Sequence, residues 1–307
     1  MTSLRQAPSR RDLRAMNSEV ELLCFASDAE RRLDRAERWL AAFEARFSRF
    51  QPPSELSRLN RAAGRSFQAS PALFALVETA VALARRSGGV FDPTVLGALE
   101  AAGYNRSFNT LTGLRSETGR VAAGDQGWRQ VALDPKARSI CLPAGVGIDL
   151  GGIAKGWAVD RLASMLGRPC LVNGGGDVRA VGRPGDAPGW RVGVADPFAA
   201  ERDLAVLAVE DRGVATSSSL RRSWAGAAGR LHHLIDPQTG APSRSDVVQC
   251  TAVATTTLLA DYHAKVALLL GAAAGLAHLN DAPGTEGLIV LADGSVRRSR
   301  RLSAYLP

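Results

Sequence analysis

Cysteine is scarce in this sequence, with four in 307 residues, at positions 24, 141, 170 and 250. None stands in a C-x-x-C pair, so zinc-ribbon and thioredoxin-type spacings are absent, and buried free thiols in a reducing compartment are expected. No stretch approaches the roughly 20 consecutive apolar residues of a membrane-spanning helix. The G-x-G-x-x-G fingerprint and the Gly-Lys-Ser/Thr of a phosphate loop are both missing, which excludes the two commonest nucleotide folds. No internal repeat or compositional break marks a linker. Acidic residues are the minority: 30 against 38 lysines and arginines, for a net charge of +8 and a pI near 10.0. That balance favours anionic partners. The excess is mainly arginine gathered at residues 5–14 and 297–301, where charge is usually solvated, and no basic motif is interleaved with aromatics. Nucleic acid is therefore not expected as a partner. The stretch Ser9–Arg14 (SRRDLR) has the look of a twin-arginine export signal. Glu19, Glu21, Asp28 and Glu30 interrupt the apolar run that such a signal needs, so a cytoplasmic protein is expected.

Periodicity supplies the elements. Residues 1–15 read as a disordered lead-in and 20–26 as a strand. Leu33, Ala36, Leu40, Phe43 and Phe47 step by three and four, predicting a helix from a cap at Ser27 or Asp28 to about Arg49. A second helix over 71–86 ends at Ser87-Gly88-Gly89, where glycine accepts left-handed backbone. A hairpin is expected around Asp134-Pro135-Lys136. The stretch 148–156 (IDLGGIAKG) leads into a helix ending near Gly167. Strands follow around 170–182, at 190–197 and at 247–254, then a helix over 257–270 and a last hairpin at Ala292-Asp293-Gly294. Strands and helices mix without strict alternation, which indicates the α+β class. The part beyond the lead-in, 16–307, reads as a single domain.

Chemistry-bearing residues gather in a few stretches: 87–95 (SGGVFDPTV), 148–156, 172–179 (VNGGGDVR), 214–222 (VATSSSLRR), 232–242 (HHLIDPQTGAP) and 258–265 (LLADYHAK). Glycines allow backbone to approach a ligand and present N–H groups to phosphate oxygens. Carboxylates beside such a cradle repel phosphate unless a cation intervenes, so the combination indicates metal-assisted handling of a phosphoanhydride. Plainer readings stand beside this one. Asp92-Pro93 and Asp236-Pro237 are ordinary turn starts, NGGGD is a tight connection, and Asp261 with Lys265 is a surface ion pair at helical spacing.

Taken together and in order, residues 54–60 (SELSRLN), GGVFDPTV, IDLGGIAKGWAVD, VNGGGDV, VATSS and HHLIDPQTGAP resemble the signature stretches of the ApbE-type FAD:protein FMN transferases. The resemblance runs over nearly the whole chain. It implies an α+β fold of two related sheet-and-helix halves enclosing a flavin nucleotide site. It also implies Mg²⁺-dependent transfer of the FMN half of FAD to a Thr or Ser hydroxyl of an acceptor protein, releasing AMP; a homodimer is compatible with it. By matching position it assigns Met16 and Phe50 to the flavin ring. Val90, Phe91 and Asp92 line the cofactor, Asp92 toward the adenine or ribose. Asp149 and Lys155 contact FAD, the lysine near the phosphates, and His233 and Leu234 lie beside the reacting phosphate. The Gly152 carbonyl and the Asp261 carboxylate serve the metal, and Asp261 or His233 is the catalytic base.

The sequence departs from the family pattern at several of these places. Phe50 replaces the usual tyrosine, and Met16-Asn17-Ser18 stands for Met-Gly-Thr. Ser217-Ser218-Ser219-Leu220 stands where Ser-Gly-Asp-Tyr is usual after Ala-Thr. In the last motif Lys265 occupies the position of a metal-ligating threonine, and a lysine is a cation rather than a ligand. Two further readings follow: an FAD pyrophosphatase giving FMN and AMP, and a silent FAD-binding protein in which Lys265 has replaced the metal.

Overall fold

The computed structural model describes residues 7–107, 126–199, 201–226 and 229–307. Part of the lead-in over 1–15, expected to be disordered, is instead a strand: β1 (Ser9–Ala15) pairs antiparallel with β2 (Ser18–Cys24). Residues 1–6 lie outside the described residues. Met16 and Asn17 join the two strands with φ of 53° and 55°, the sign pattern of a type I′ hairpin turn. The arginine-rich strand is not a solvated tail because α1 (Ala29–Phe47) answers its charge. Arg11 meets Glu30, Asp34 and Glu37 of that helix at 3.1, 3.0 and 2.7 Å. Each such half-exposed pair contributes no more than about 1 kcal/mol.

The chain then runs through α2 (Glu55–Arg61), β3 (Ser66–Gln68), α3 (Pro71–Arg86) and α4 (Leu96–Ala101). The expected hairpin forms as β4 (Ala132–Asp134) and β5 (Ser139–Cys141). After it come α5 (Ala154–Leu166), β6 (Cys170–Gly174), β7 (Asp177–Val181), β8 (Trp190–Ala195) and β9 (Asp203–Val209). Next are β10 (Arg212–Ser218), β11 (Ser223–Gly226), β12 (Gly229–His232), β13 (Ile235–Asp236) and β14 (Ala241–Pro242). The chain closes with β15 (Val247–Ala254), α6 (Thr257–Leu270), α7 (Ala272–Asp281), β16 (Glu286–Leu291) and β17 (Val296–Arg298).

The described residues divide into two compact units, where the sequence indicated one domain. The first holds the chain up to Phe43, Lys155–Ser217 and Asp246–Pro307. Its frame is an eight-stranded sheet in the order β1-β2-β6-β7-β10-β15-β16-β17. Leu33, Ala36 and Leu40 of α1 and Val159, Leu162, Ala163 and Leu166 of α5 pack with Val20, Leu22, Cys24, Cys170 and Val172 of the sheet. Full burial of each Leu or Val is worth roughly 1.5–3 kcal/mol, which makes this stripe the main stabilising surface of α5. All eight residues of β15 are buried, as expected for a strand covered on both faces.

The second unit comprises Glu44–Ala154 and Ser218–Ser245. It contains the three-stranded sheet β3-β5-β4, the ribbons β11-β12 and β13-β14, and helices α2, α3 and α4. Both units mix helices with antiparallel strands, so the α+β class holds. The cysteines are free; Cys141 is only half-buried, unlike the other three. None of the described helices is long and apolar enough to cross a membrane.

Candidate functional site

In the second unit, three of the singled-out stretches converge on the turn that carries Asp149. Asn60 of α2 grips the backbone of Ile148 from both sides: its amide donates to the Ile148 carbonyl at 2.9 Å and its oxygen accepts the Ile148 N–H at 2.8 Å. The Asp149 N–H donates to the Pro93 carbonyl at 2.8 Å, joining this turn to the stretch 87–95. Each Asp149 carboxylate oxygen is engaged. Oδ1 accepts from the Gly151 N–H at 2.9 Å and Oδ2 meets Arg49 Nε at 2.7 Å. Gly151 is needed there, because a Cβ would stand 2.9 Å from Asp149 Oδ1. The Leu150 carbonyl accepts from both Ile153 and Ala154, so the chain passes through half-buried Gly152 directly into α5.

Arg49 was not among the expected site residues. Its side chain is 6 % exposed and that of Asp149 is 16 %. The guanidinium lies 4.1 Å from the Phe50 ring centroid and 4.6 Å from that of Tyr104, and it donates to the Tyr104 carbonyl at 2.7 Å. Trp224 stacks on Tyr104 at 5.5 Å and donates its indole N–H to the Ala102 carbonyl at 2.9 Å. Phe50 therefore belongs to a cluster with Tyr104 and Trp224, with a cation over two of the rings. Burial pushes the Tyr104 hydroxyl above its ordinary value.

Asp92 is 9 % exposed, and its Oδ1 accepts from the Thr94 N–H at 2.7 Å and the Thr94 hydroxyl at 2.5 Å. This is the local turn of the plainer reading. Burial raises the Asp92 carboxyl above the usual range and the Thr94 bonds offset part of the rise. Phe91 beside it is buried and Val90 half-buried. The adjacent histidines differ. His232 accepts the Leu234 N–H on Nδ1 at 3.3 Å, and its Nε2 stands 3.0 Å from the Ser243 carbonyl. Those partners require the neutral ring with the proton on Nε2, and burial lowers its pKa accordingly. His232 is thus a scaffold that sets the Leu234 backbone. His233 is half-buried, with Nδ1 3.4 Å from the Arg222 carbonyl.

In the first unit, Lys155 in the first turn of α5 reaches Asp177 of β7 at 2.7 Å, with side-chain exposures of 16 % and 3 %. Asp177 closes the Gly174-Gly175-Gly176 connection, where Gly175 and Gly176 have φ of 64° and 96°. The lone carboxylates that the sequence placed beside these glycine turns thus each have a cation: Arg49 for Asp149 and Lys155 for Asp177. Asp261 is 7 % exposed on α6, and half-buried Lys265 stands one turn further along the same helix. Met16 is half-buried, in the β1–β2 turn, and packs on the core of this unit. Among the described residues, no cluster of three or more His, Cys, Asp or Glu side chains is set to hold a metal.

The stretches that meet in these two units are those of a known family: residues 16–289 match the ApbE family. The chain belongs to the ApbE family. It is 32% identical over 267 residues to the FAD:protein FMN transferase of Treponema pallidum, covering 80% of this chain and 73% of that protein. It is 33% identical over 227 residues to the FAD:protein FMN transferase of Rhodobacter capsulatus, covering 71% of this chain and 43% of the relative. The crystal structure of the ApbE protein from Thermotoga maritima superposes with a TM-score of 0.89 at 26% identity, over 98% of this chain and 99% of that one. The flavin transferase ApbE from Vibrio cholerae shares the fold at a TM-score of 0.79 and 22% identity, over 97% of this chain and 100% of that one.

Proposed function

We propose that this ApbE-family chain transfers the FMN half of FAD to a Thr or Ser hydroxyl of an acceptor protein, in a Mg²⁺-dependent reaction in the cytoplasm. The observation that carries the reading is the pairing of each glycine-turn carboxylate with its own cation. A turn holding Asp149 alone would repel a pyrophosphate; paired with Arg49 at 2.7 Å, it carries no unmatched negative charge to do so. Lys155, paired with Asp177, stands at the start of α5, and a helix N-terminus favours phosphate oxygens.

In this reading the acceptor oxygen forms a bond to the FMN phosphorus, the bond from that phosphorus to the bridging oxygen breaks, and AMP leaves. The hydroxyl proton passes to Asp261 or His233. The family resemblance assigns Phe50 and Met16 to the flavin ring, Val90, Phe91 and Asp92 to the nucleotide, and Leu234, on a backbone that His232 fixes, to the phosphate. Asp261 on α6 and the Gly152 carbonyl are oxygen donors of the type a hard divalent cation takes. A single protein carboxylate suits Mg²⁺, which commonly completes its shell with water and substrate phosphate. When bound, the cation would neutralise charge that develops on the pyrophosphate. Lys265, one turn from Asp261, favours the competing reading of a silent FAD binder.

The test incubates the protein with FAD, Mg²⁺ and a threonine-containing acceptor peptide and resolves the nucleotide products. AMP with peptide-bound flavin supports the transferase, AMP with free FMN supports a pyrophosphatase, and intact FAD across a Mg²⁺ series refutes both enzymatic readings.

A further inference from the structure

The first turn of α6 is held by more contacts than a surface helix needs. An α-helix leaves its first N–H groups without internal partners. Here Thr257 N donates to Asp160 Oδ1 at 2.9 Å and Leu258 N donates to Asp160 Oδ2 at 3.0 Å. Leu259 N donates to the Thr256 hydroxyl at 3.2 Å, and the Thr257 hydroxyl donates to the Val178 carbonyl at 3.1 Å. Two glycines let the backbones close on this turn. A Cβ at Gly156, one turn before Asp160 on α5, would stand 2.8 Å from Leu258 Cα. A Cβ at Gly213 of β10 would stand 2.2 Å from Thr257 N. Arg179 lies 3.8 Å from Asp160 Oδ1 and keeps the carboxylate compensated.

We propose that Asp160 is a positioning residue for Asp261. By holding the first two amides of α6 in both oxygens, it fixes the height and rotation of that helix, and Asp261 stands one turn beyond Thr257. A cap needed only for stability requires one acceptor; two oxygens on successive amides, with two glycines removing all clearance, fix the helix in place. The inference rests on the reading of Asp261 as the metal carboxylate and deepens it, because a carboxylate displaced by a fraction of an ångström ligates poorly.

The test compares Asp160→Asn, which leaves one of the two amides without its acceptor, with Asp246→Ala, which removes the cap of α7, where Asp246 accepts the Ala272 N–H at 3.0 Å. Mg²⁺ affinity is measured by calorimetric titration with the metal alone, together with FAD KM and the thermal midpoint. Asp160→Asn should weaken Mg²⁺ binding about tenfold and leave FAD KM within about twofold, as expected of a group acting through a ligand. Asp246→Ala should lower the thermal midpoint and leave Mg²⁺ affinity unchanged. If Asp160→Asn does not fold, Asp160→Ser, which also keeps one oxygen, should shift Mg²⁺ affinity in the same direction. Wild-type Mg²⁺ affinity in a folded Asp160 variant would overturn the inference alone. A wild-type protein that binds no Mg²⁺ would overturn the reading of Asp261 and the inference with it.

Discussion

Removing the guanidinium of Arg49 would strand Asp149 inside the second unit. The pair is 2.7 Å apart with side chains 6 % and 16 % exposed, so water replaces the lost partner only in part. Breaking such a pair from one side costs about 3–5 kcal/mol. The guanidinium also lies over Phe50 and Tyr104, and losing it forfeits about 0.5–2 kcal/mol of cation–π attraction. Arg49→Met should therefore destabilise the protein by about 4 kcal/mol, a large part of the 5–15 kcal/mol typical of a domain. Asp149→Asn keeps an oxygen for the Gly151 N–H and should cost less. The double variant removes both charges and should recover at least about 1.5 kcal/mol relative to the sum of the singles. Urea denaturation followed by tryptophan fluorescence is a suitable assay, because Trp224 stacks on Tyr104 within the same cluster. A coupling below about 0.5 kcal/mol would refute the claim that Arg49 neutralises Asp149.

Other consequences are as direct. Lys155→Met leaves Asp177, 3 % exposed, without its cation; it should cost about 3 kcal/mol in denaturation and abolish FAD turnover. Gly213→Ala pushes a methyl into the α6 backbone and should destabilise the first unit by at least about 2 kcal/mol, read as a lower thermal midpoint. Because burial depresses the His232 pKa, its stabilising contribution is complete above the ordinary value of 6.5 and is lost as pH falls through the depressed one. Stability measured from pH 7 to pH 4 should fall more steeply in the wild type than in His232→Gln. Lys265→Thr should raise AMP release and make it more dependent on Mg²⁺; an unchanged rate and metal response would show that Lys265 does not impede the metal.

Much of this arrangement was legible in residue spacing. The helix at 71–86, the strand at 247–254 and the helix at 257–270 agree with their periodicity, because a three-to-four or all-apolar pattern reports which face is buried. The lead-in misled because Arg11 looks solvated until the acidic face of α1 is set against it, while Arg10 and Arg14 pair with Glu21 and Glu19 of the neighbouring strand. No strand was expected at 214–222, yet the first half of that stretch lies in β10 in the middle of the sheet. There the Thr216 and Thr251 hydroxyls stand 2.8 Å apart, so each polar group has a partner inside the sheet. Within the site, the motifs marked Asp149 and Lys155, contained Asp177 and Asp160 without giving either a partner, and missed Arg49. Those three act through partners far along the chain, and no local pattern encodes such pairing. The one available signal was the unmatched charge itself: a buried carboxylate beside a phosphate cradle demands a cation.

The most direct measurement is mass spectrometry of two acceptor peptides, one with a threonine and one with alanine in its place, after incubation with the protein, FAD and Mg²⁺. The account predicts covalent FMN on the threonine peptide alone, with AMP released in equal amount. Unmodified threonine peptide and undiminished FAD would contradict it.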